Sequence, residues 1–180
     1  MSLVILSGPS GVGKDTVIEA WREANPLVDR VVACTSRSPR KGEVDGVDYH
    51  FLESEEFAAR VEDGRFLEYK LVHGNYYGTP FDGLERLIQA GSTPILKIDV
   101  QGALAVMDVR PDAVTIFLLP PSMEELENRI RSRQLDTPEV IERRLVGARE
   151  ELALAHWYQH QVVNITVADT VCKLQEIVGK

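Results

Sequence analysis

Short apolar runs alternate along the chain with stretches in which apolar residues recur at helical spacing. The run Leu3-Val4-Ile5-Leu6 precedes a helical pattern over 14–24, and Ile141, Leu145 and Ala148 repeat every three or four residues further on. Short apolar runs predict buried strands, whereas a period of about 3.6 residues predicts amphipathic helices with a core-facing stripe. The predicted strands span 3–7, 30–35, 94–99, 113–119 and 161–166, and the predicted helices span 14–24, 55–62, 81–90, 123–132, 138–157 and 170–178.

The alternation of strands and helices predicts an α/β fold, in which helices cover both faces of a parallel sheet. Residues 36–80 break the alternation, because they hold short glycine turns, clustered aromatic residues and a strand-like segment over 66–72. We interpret this region as an insertion of short antiparallel strands plus a helix above the carboxyl ends of the main sheet, where such folds bind ligands. The arginine-rich connector over 129–137 is typical of a lid that closes over a phosphate site.

Length and composition fit one globular domain of 180 residues, with 44% hydrophobic and 27% charged residues. The formal net charge of −8 argues against a general nucleic-acid-binding surface, which would be basic. Cys34 and Cys172 lie far apart, no apolar run approaches membrane-spanning length, and the N-terminus lacks the layout of a secretory signal. These features predict a cytoplasmic protein with reduced cysteines and neither nucleic-acid nor membrane partners.

The segment between the first predicted strand and helix is Gly8-Pro9-Ser10-Gly11-Val12-Gly13-Lys14. A strand, a glycine-rich loop and a helix N-terminus form the context that a phosphate-binding loop requires. Backbone N–H groups of such a loop point at an anion, the helix dipole adds partial positive charge, and Lys14 can reach the outer phosphates of a nucleoside triphosphate. A flexible turn is the alternative, but it does not explain the lysine at this spacing.

The residue after the loop lysine departs from the usual pattern. The motif expects Ser or Thr there, as a ligand for Mg²⁺, whereas this chain has Asp15 followed by Thr16. Asp15 can be an acid that complements the helix dipole, or it can reach the metal directly or through water. The sequence leaves both interpretations open.

Further segments combine with this loop into a specific pattern. They are Thr35 to Tyr49 (TSRSPRKGEVDGVDY), Phe66-Leu67-Glu68, Gly74 to Thr79 (GNYYGT), Ile98 to Gly102 (IDVQG) and Pro120-Pro121-Ser122. Together they resemble the guanylate kinase family over nearly the whole chain. The resemblance implies Mg²⁺-dependent transfer of a phosphoryl group from ATP to GMP. It also implies a core over about 1–32, 81–124 and 148–180, a GMP-binding region over 33–80 and a lid over 125–147.

The resemblance assigns roles to individual residues. It places Arg37, Arg40, Tyr49 and Tyr77 on the acceptor phosphate, and Glu68, Thr79 and Asp99 on guanine. Paired guanidinium groups fork onto phosphate oxygens, and ionised carboxylates accept from the N1–H and NH₂ groups of guanine. AMP lacks the N1–H, so it would leave such an acceptor unpaired.

The resemblance also assigns residues to the phosphoryl donor ATP, to catalysis and to the metal. The implied ATP ligands are Gly8, Pro9, Ser10, Gly11, Val12, Gly13, Lys14, Asp15, Thr16 and Asn164. The implied catalytic groups are Lys14, Arg37, Arg133 and Arg144, with Arg129 and Arg131 as weaker lid candidates. Asp15 or Thr16, together with Asp99, are the candidate metal ligands.

Three positions depart from the family pattern. Ala33 stands where many relatives have a serine that binds guanine, and Lys97 replaces the first acid of an Asp-x-Asp strand end. Asn164-Ile165-Thr166 keeps the asparagine of an Asn-Asp-Asp segment but neither acid. These departures bear on guanine affinity, the metal site and the pocket for the ATP base, respectively.

Two other functions remain as alternatives. Related kinases that act on ribose 1,5-bisphosphate also tend to carry Asp after the loop lysine, but they have no need of Glu68, Thr79 and Asp99. Guanylate-kinase-like interaction modules of scaffold proteins use the nucleotide groove for peptides and have lost the phosphate loop, whereas Gly13-Lys14 is intact here.

Overall fold

The structure is a computed structural model that describes residues 2–72, 74–132 and 137–179. Its strands are β1 (Val4–Ser7), β2 (Val28–Arg30), β3 (Cys34–Thr35), β4 (His50–Phe51), β5 (Phe66–Val72), β6 (Asn75–Pro80), β7 (Thr93–Lys97), β8 (Val114–Leu119) and β9 (His160–Val163). Its α-helices are α1 (Lys14–Ala24), α2 (Ser54–Glu62), α3 (Phe81–Gln89), α4 (Val100–Val109), α5 (Met123–Ser132), α6 (Pro138–Ala153) and α7 (Val167–Val178), and a 3₁₀ turn spans Ala155–Trp157.

The main sheet contains five parallel strands in the order β2-β7-β1-β8-β9. Ile5 of the central strand β1 faces Leu96 on one side and Thr115 on the other. The loop after β1 therefore leaves the sheet at its middle. The predicted α/β fold, a parallel sheet covered by helices, is confirmed.

Helices pack on both faces of this sheet. Successive residues of a strand point their side chains to opposite sides, so each strand contributes apolar side chains to both faces. Leu3 and Ile5 pack on one face with residues of α3 and α4, whereas Val4 and Leu6 pack on the other with residues of α1 and α7. Both faces are thus covered, which is the usual condition for a parallel sheet.

The segment from residue 34 to residue 80 forms a second, smaller sheet in the order β4-β3-β6-β5. Strands β3 and β4 are parallel and the other pairs are antiparallel, so the predicted insertion is a mixed sheet. Phe57 of α2 is fully buried beneath it and stacks on Phe66 with ring centroids 4.5 Å apart. This small core anchors the insertion beside the main sheet.

Helices α5 and α6 pack together through a cluster of buried apolar residues: Leu126, Ile130, Ile141, Leu145 and Ala148. The last three belong to the stripe that the sequence predicts to be core, and this prediction is confirmed. The connector over 133–136 lies outside the described residues, and with it the predicted lid residue Arg133.

One predicted strand is wrong. The sequence predicts a single strand over 30–35, but β2 and β3 are separate strands that belong to different sheets. Arg30 pairs with Ile95 of β7, whereas Cys34 pairs with Gly78 of β6 and with His50 of β4. A continuous apolar run does not reveal where the chain leaves one sheet for another, since that depends on the partner strands.

The sequence pattern misses one helix and makes another too long. Helix α4 starts after Asp99, whose carboxylate caps it by accepting from the N–H of Gly102 at 2.9 Å. Its apolar residues show little one-sided periodicity, so the pattern does not indicate a helix there. The predicted helix over 138–157 ends at Ala153, and the chain continues into the 3₁₀ turn.

The two cysteines lie in different environments. Cys34 is buried in the small sheet, which raises the pKa of its thiol to about 11, whereas Cys172 is exposed on α7. Within the described ranges, no helix is long and apolar enough to cross a bilayer.

Candidate active site

The glycine-rich loop connects β1 to α1 and needs glycine for steric as well as conformational reasons. Gly8 has a φ of +148°, and a Cβ built on it would lie 2.5 Å from the carbonyl oxygen of Leu118 in the neighbouring strand. The loop is therefore packed against the carboxyl end of the sheet at a distance that only glycine allows.

We expect Gly8→Ala to destabilise the protein by at least about 2 kcal/mol, because the methyl group must displace backbone rather than a flexible side chain. Urea unfolding measures this change. Gly147→Ala is the matched control, since nothing lies within 4 Å of a Cβ built on Gly147 and alanine is the better helix former. A Gly8→Ala protein as stable as the wild type would contradict the close packing of the loop against β8.

Three side chains surround the loop. Lys14 donates from its ammonium group to the carbonyl oxygens of Gly8 and Pro9, the latter at 3.2 Å. Arg144 of α6 donates to the hydroxyl of Ser10 at 2.8 Å, and the buried Asn164 donates to the carbonyl oxygen of Val12 at 2.8 Å. Side chains from α6 and from the segment after β9 thus hold the loop in place, although both are far from it in the sequence.

A cavity of about 300 Å³ opens over the carboxyl ends of the main sheet, between the loop and the small sheet. The predicted site residues that line it are Gly8, Ser10, Lys14, Asp15, Tyr49, Glu68, Tyr77 and Asp99. Ala33 and Lys97, two of the positions that depart from the family pattern, line it as well. The structure therefore brings residues of both the donor set and the acceptor set to a single cavity.

Of the four predicted acceptor-phosphate residues, Tyr49 and Tyr77 line this cavity, whereas Arg37 and Arg40 are not among its lining residues. Arg37 forms a bidentate ion pair with Glu43, at 2.8 and 2.9 Å, and also donates to the hydroxyl of Tyr77 at 3.3 Å. The bonds from Arg37 lower the pKa of Glu43 to about 2, so this carboxylate stays ionised. Tyr49 packs edge-on against Tyr77, with centroids 6.0 Å apart, and Arg40 is exposed on the same turn.

Glu68 also lines the cavity, and it faces Thr79 across the β5–β6 pair. A β-bulge between Phe66 and Glu68 interrupts the pairing, and such bulges re-aim side chains. The buried Thr79 donates its hydroxyl to Glu68 Oε1 at 2.7 Å. Burial raises the pKa of Glu68, against the opposing effects of Thr79 and Lys70.

Asp99 lies beside Glu68 at the start of α4. A Cβ built on Gly102 would lie 3.0 Å from Glu68 Oε2 and 3.5 Å from Asp99 Oδ1, so both carboxylates approach the same glycine. Asp99 also forms an ion pair with Lys70. Asp99 thus lies next to the predicted guanine residue Glu68. Its carboxylate, which the sequence also predicts as a metal ligand, is engaged by Lys70 and by the N–H of Gly102.

Asp15 forms ion pairs at the opposite edge of the cavity. Its Oδ1 lies 2.5 Å from Lys97 Nζ and 3.4 Å from Arg30 Nη1. Desolvation raises the pKa of Asp15, but Lys97, Arg30 and Lys14 outweigh it and hold the pKa below its ordinary value. Thr16, the other candidate metal ligand, is exposed on the first turn of α1.

A second cavity, of about 310 Å³, lies behind the loop. Its lining includes Thr16, Arg129, Asn164 and Ile165. Arg129 pairs with Glu125 at 2.9 Å and approaches the carbonyl oxygens of Val12 and Asn164 at 3.4 Å. Arg131, the other weak lid candidate, pairs with Glu127 near the surface instead.

Sequence reasoning missed several residues of the site. Glu43 belongs to a segment of the family pattern, but its ion pair with Arg37 is not evident from the sequence. Lys70 and Glu151 line the cavity, although they belong to no sequence motif. Glu151 lies two helical turns after Arg144 on α6, a spacing that places both on one face and could have indicated it.

Comparisons with known proteins find relatives that are similar over nearly the whole chain. The family model described as "Guanylate kinase" matches residues 1–180. Guanylate kinase of Clostridium perfringens strain SM101 is 47% identical over 175 residues, covering 97% of this chain and 81% of that protein. Guanylate kinase of Gloeobacter violaceus is 50% identical over 169 residues, covering 94% and 82%. The crystal structure of guanylate kinase from Anaplasma phagocytophilum superposes with a TM-score of 0.78 at 34% identity, covering 99% of this chain and 84% of that chain.

Proposed function

Because the chain belongs to the guanylate kinase family, we propose that it is an enzyme that transfers the terminal phosphoryl group of ATP to GMP, giving ADP and GDP. The observation that carries this proposal is the shared cavity, whose lining includes residues of the phosphate-binding loop, the hydroxyl-bearing Tyr49 and Tyr77, and the carboxylate of Glu68. Asp15 is a residue that kinases of ribose 1,5-bisphosphate also tend to carry, but such kinases do not need Glu68, Thr79 and Asp99, and an interaction module does not need the intact Gly13-Lys14.

Recognition of GMP rests on the two ends of the acceptor subsite. Glu68 supplies carboxylate oxygens for the N1–H and NH₂ donors of guanine, and Thr79 orients this carboxylate through its 2.7 Å hydrogen bond. Arg37 and Tyr77 supply donors for the phosphate, and Glu43 holds the guanidinium group in place before the substrate arrives. Asp99 supplements Glu68 at the guanine end.

Phosphoryl transfer between two nucleotides requires positioning and charge stabilisation rather than a covalent intermediate. The loop N–H groups and Lys14 bind the donor phosphates, and Arg144 is already in contact with the loop through Ser10. The acceptor phosphate is itself the nucleophile, so no general base is assigned. Arg133 keeps its proposed role in the lid, outside the described residues.

The second cavity is suited to the base of ATP. Ile165, which is 65% exposed, offers an apolar wall beside Arg129 and Asn164. Both polar ends of the Asn164 side chain are engaged, by Val12 and by Thr170 at 2.9 Å. We therefore assign Asn164 to holding the wall of this pocket and the back of the loop.

We propose Asp15 or Thr16 as the residue that holds Mg²⁺ with the donor phosphates. Hard oxygen ligands suit this ion, which keeps several waters and needs only one or two carboxylates besides the substrate. When bound, the ion neutralises charge on the transferring phosphates.

The division into a core, a GMP-binding region over 33–80 and a lid over 125–147 also stays a proposal. It is supported by the separate small sheet, whose strands lie between residues 34 and 80, and by the α5–α6 pair with its own apolar cluster. Closure of such regions excludes water and suppresses hydrolysis of ATP. A cytoplasmic location likewise stays a prediction from the sequence.

Steady-state kinetics on a panel of acceptors tests the proposed function. GMP, AMP and ribose 1,5-bisphosphate are each offered with ATP, with and without Mg²⁺. We expect a preference for GMP over AMP of at least about 2–3 kcal/mol in kcat/KM, because AMP leaves Glu68 without a donor. Faster turnover of either other acceptor than of GMP would contradict the proposal.

Ala33→Ser is expected to lower the KM for GMP by roughly two- to tenfold. Ala33 lines the cavity, and a hydroxyl there adds one neutral hydrogen bond worth about 0.5–1.5 kcal/mol. The KM for ATP should stay unchanged, which serves as the internal control. An unchanged or higher KM for GMP would show that the hydroxyl does not reach the nucleotide.

A further inference from the structure

Two departures from the family pattern meet in one contact. Asp15 replaces the expected hydroxyl residue after the loop lysine, and Lys97 replaces the expected acid at the end of β7. Although 82 positions separate them, Lys97 Nζ lies 2.5 Å from Asp15 Oδ1. The carboxylate missing from the strand end is thus present on the helix, and the strand end carries an ammonium group in its place.

The ammonium group of Lys97 lies between the donor loop and the acceptor residues. On one side it contacts Asp15, the residue next to Lys14, and on the other it lies 5.8 Å from the ring centroid of Tyr49. The side chain of Lys97 is only 18% exposed and lines the shared cavity. An ammonium group has three protons to donate, so the bond to Asp15 leaves donors for a phosphate oxygen.

Charge explains why a cation is useful at this point. Two polyanionic nucleotides must bring phosphates together there, and their repulsion falls when cations line the cavity. The stability of the pair itself is a weak explanation, because Asp15 is 63% exposed and pairs of this kind stabilise proteins little.

We propose that Lys97 is a further phosphate-binding residue for the acceptor nucleotide, and that Asp15 is the positioning residue that holds its ammonium group between the two substrates. This inference rests on the proposed function, because it takes GMP as the acceptor.

Binding of GMP and of guanosine, measured by calorimetry or ligand-detected NMR without ATP and Mg²⁺, tests the proposal directly. Lys97→Met should weaken GMP binding by roughly 10- to 100-fold, the usual effect of losing a charge-assisted hydrogen bond, and leave guanosine binding within about threefold. Lys97→Arg should keep part of the affinity for GMP. Because guanosine binding needs the intact pocket, it also reports whether the variant is folded.

Lys70→Met is the matched control. Lys70 lines the same cavity, but it pairs with Asp99 at the guanine end. Its replacement should therefore change the affinities for GMP and guanosine by the same factor. Equal losses of GMP and guanosine binding in Lys97→Met would overturn the assignment of Lys97 to the phosphate.

The double variant separates direct binding from mere neutralisation of Asp15. In Lys97→Met, Arg30 at 3.4 Å is the ion-pair partner that Asp15 keeps, and the carboxylate repels the phosphate more strongly than in wild type. Adding Asp15→Asn should therefore recover GMP affinity at least about threefold while leaving it at least about threefold below wild type. In the wild-type background, Asp15→Asn should weaken GMP binding. Full recovery in the double variant would overturn the phosphate contact, and equal effects of Asp15→Asn in both backgrounds would overturn the positioning role.

The outcomes also distinguish this inference from the proposed function. A wild-type protein that neither binds nor phosphorylates GMP overturns both. A wild-type protein that phosphorylates GMP, together with a Lys97→Met variant that binds GMP equally well, overturns the inference alone.

Discussion

Replacing Lys14 with methionine is expected to lower kcat at saturating ATP and GMP by about 10²–10³-fold. The ammonium group follows directly after the loop and lines the cavity, where it can stabilise charge on the transferring phosphoryl group. Loss of one preorganised electrostatic donor costs about 2.7–4 kcal/mol in comparable sites. Lys14 donates to the carbonyl oxygens of Gly8 and Pro9, so ATP must draw it away from the loop.

A coupled assay of ADP formation measures this effect, and Lys173→Met is the control. Lys173 is exposed on α7, where the same loss of one positive charge should leave kcat unchanged. The GMP affinity of Lys14→Met should change little compared with its ATP affinity, since Lys14 belongs to the donor side. A kcat within tenfold of wild type would contradict the role of Lys14. An absence of any turnover by the wild-type protein would instead favour the non-catalytic interaction module.

Glu68→Gln is expected to lower kcat/KM for GMP by about 2–4 kcal/mol, roughly 30- to 1,000-fold. Glutamine has the same shape but presents an NH₂ group where the carboxylate has an oxygen, so one guanine donor meets another donor. Activity toward AMP, which has no N1–H to lose, should change far less. The ratio of GMP to AMP turnover should therefore collapse, and this ratio is the decisive measurement.

Glu55→Gln, an exposed position on α2 in the same region, is the matched control and should leave the ratio unchanged. An unaltered preference for GMP in Glu68→Gln would remove Glu68 from the guanine site.

The same substitution should stabilise the protein without nucleotides at neutral pH. Burial raises the pKa of Glu68 above its ordinary value of 4.5, so the folded state disfavours the ionised form. Above the raised pKa, the ionised Glu68 lowers the free energy of unfolding. Below 4.5 the carboxyl is protonated in both the folded and the unfolded state, so this destabilisation vanishes. The Tm of Glu68→Gln should thus exceed the Tm of wild type near pH 7.5 and approach it in acid. The lower stability of the wild type at neutral pH is the cost of keeping a carboxylate for the recognition of guanine.

Local sequence predicted the parts of the site that a few consecutive residues build. The phosphate-binding loop is of this kind, since one strand, one turn and one helix N-terminus form it almost unaided. The buried stripe of α6 was also predictable, because helical spacing alone brings Ile141, Leu145 and Ala148 to one face. Helix α4 was not predictable, because apolar residues on all sides hide the period of a helix.

The contacts that complete the site depend on distant parts of the chain. Residues 30–35 contain the continuous apolar run 31–34, yet only the partner strands β7 and β6 decide that the segment divides between two sheets. Glu43 could be recognised as part of the family segment over 35–49. Its bidentate ion pair with Arg37, however, depends on how the chain between the two residues turns back on itself.

The amino-acid sequence alone determined the family, the α/β order of elements and the residue types available for binding phosphate and guanine. Only the tertiary structure decided which of those residues meet: Glu68 with Thr79, Asp99 with Lys70, and Asp15 with Lys97. The physical reason is that local propensity acts over a few residues, whereas an ion pair between positions 15 and 97 exists only once the sheet has set β1 beside β7.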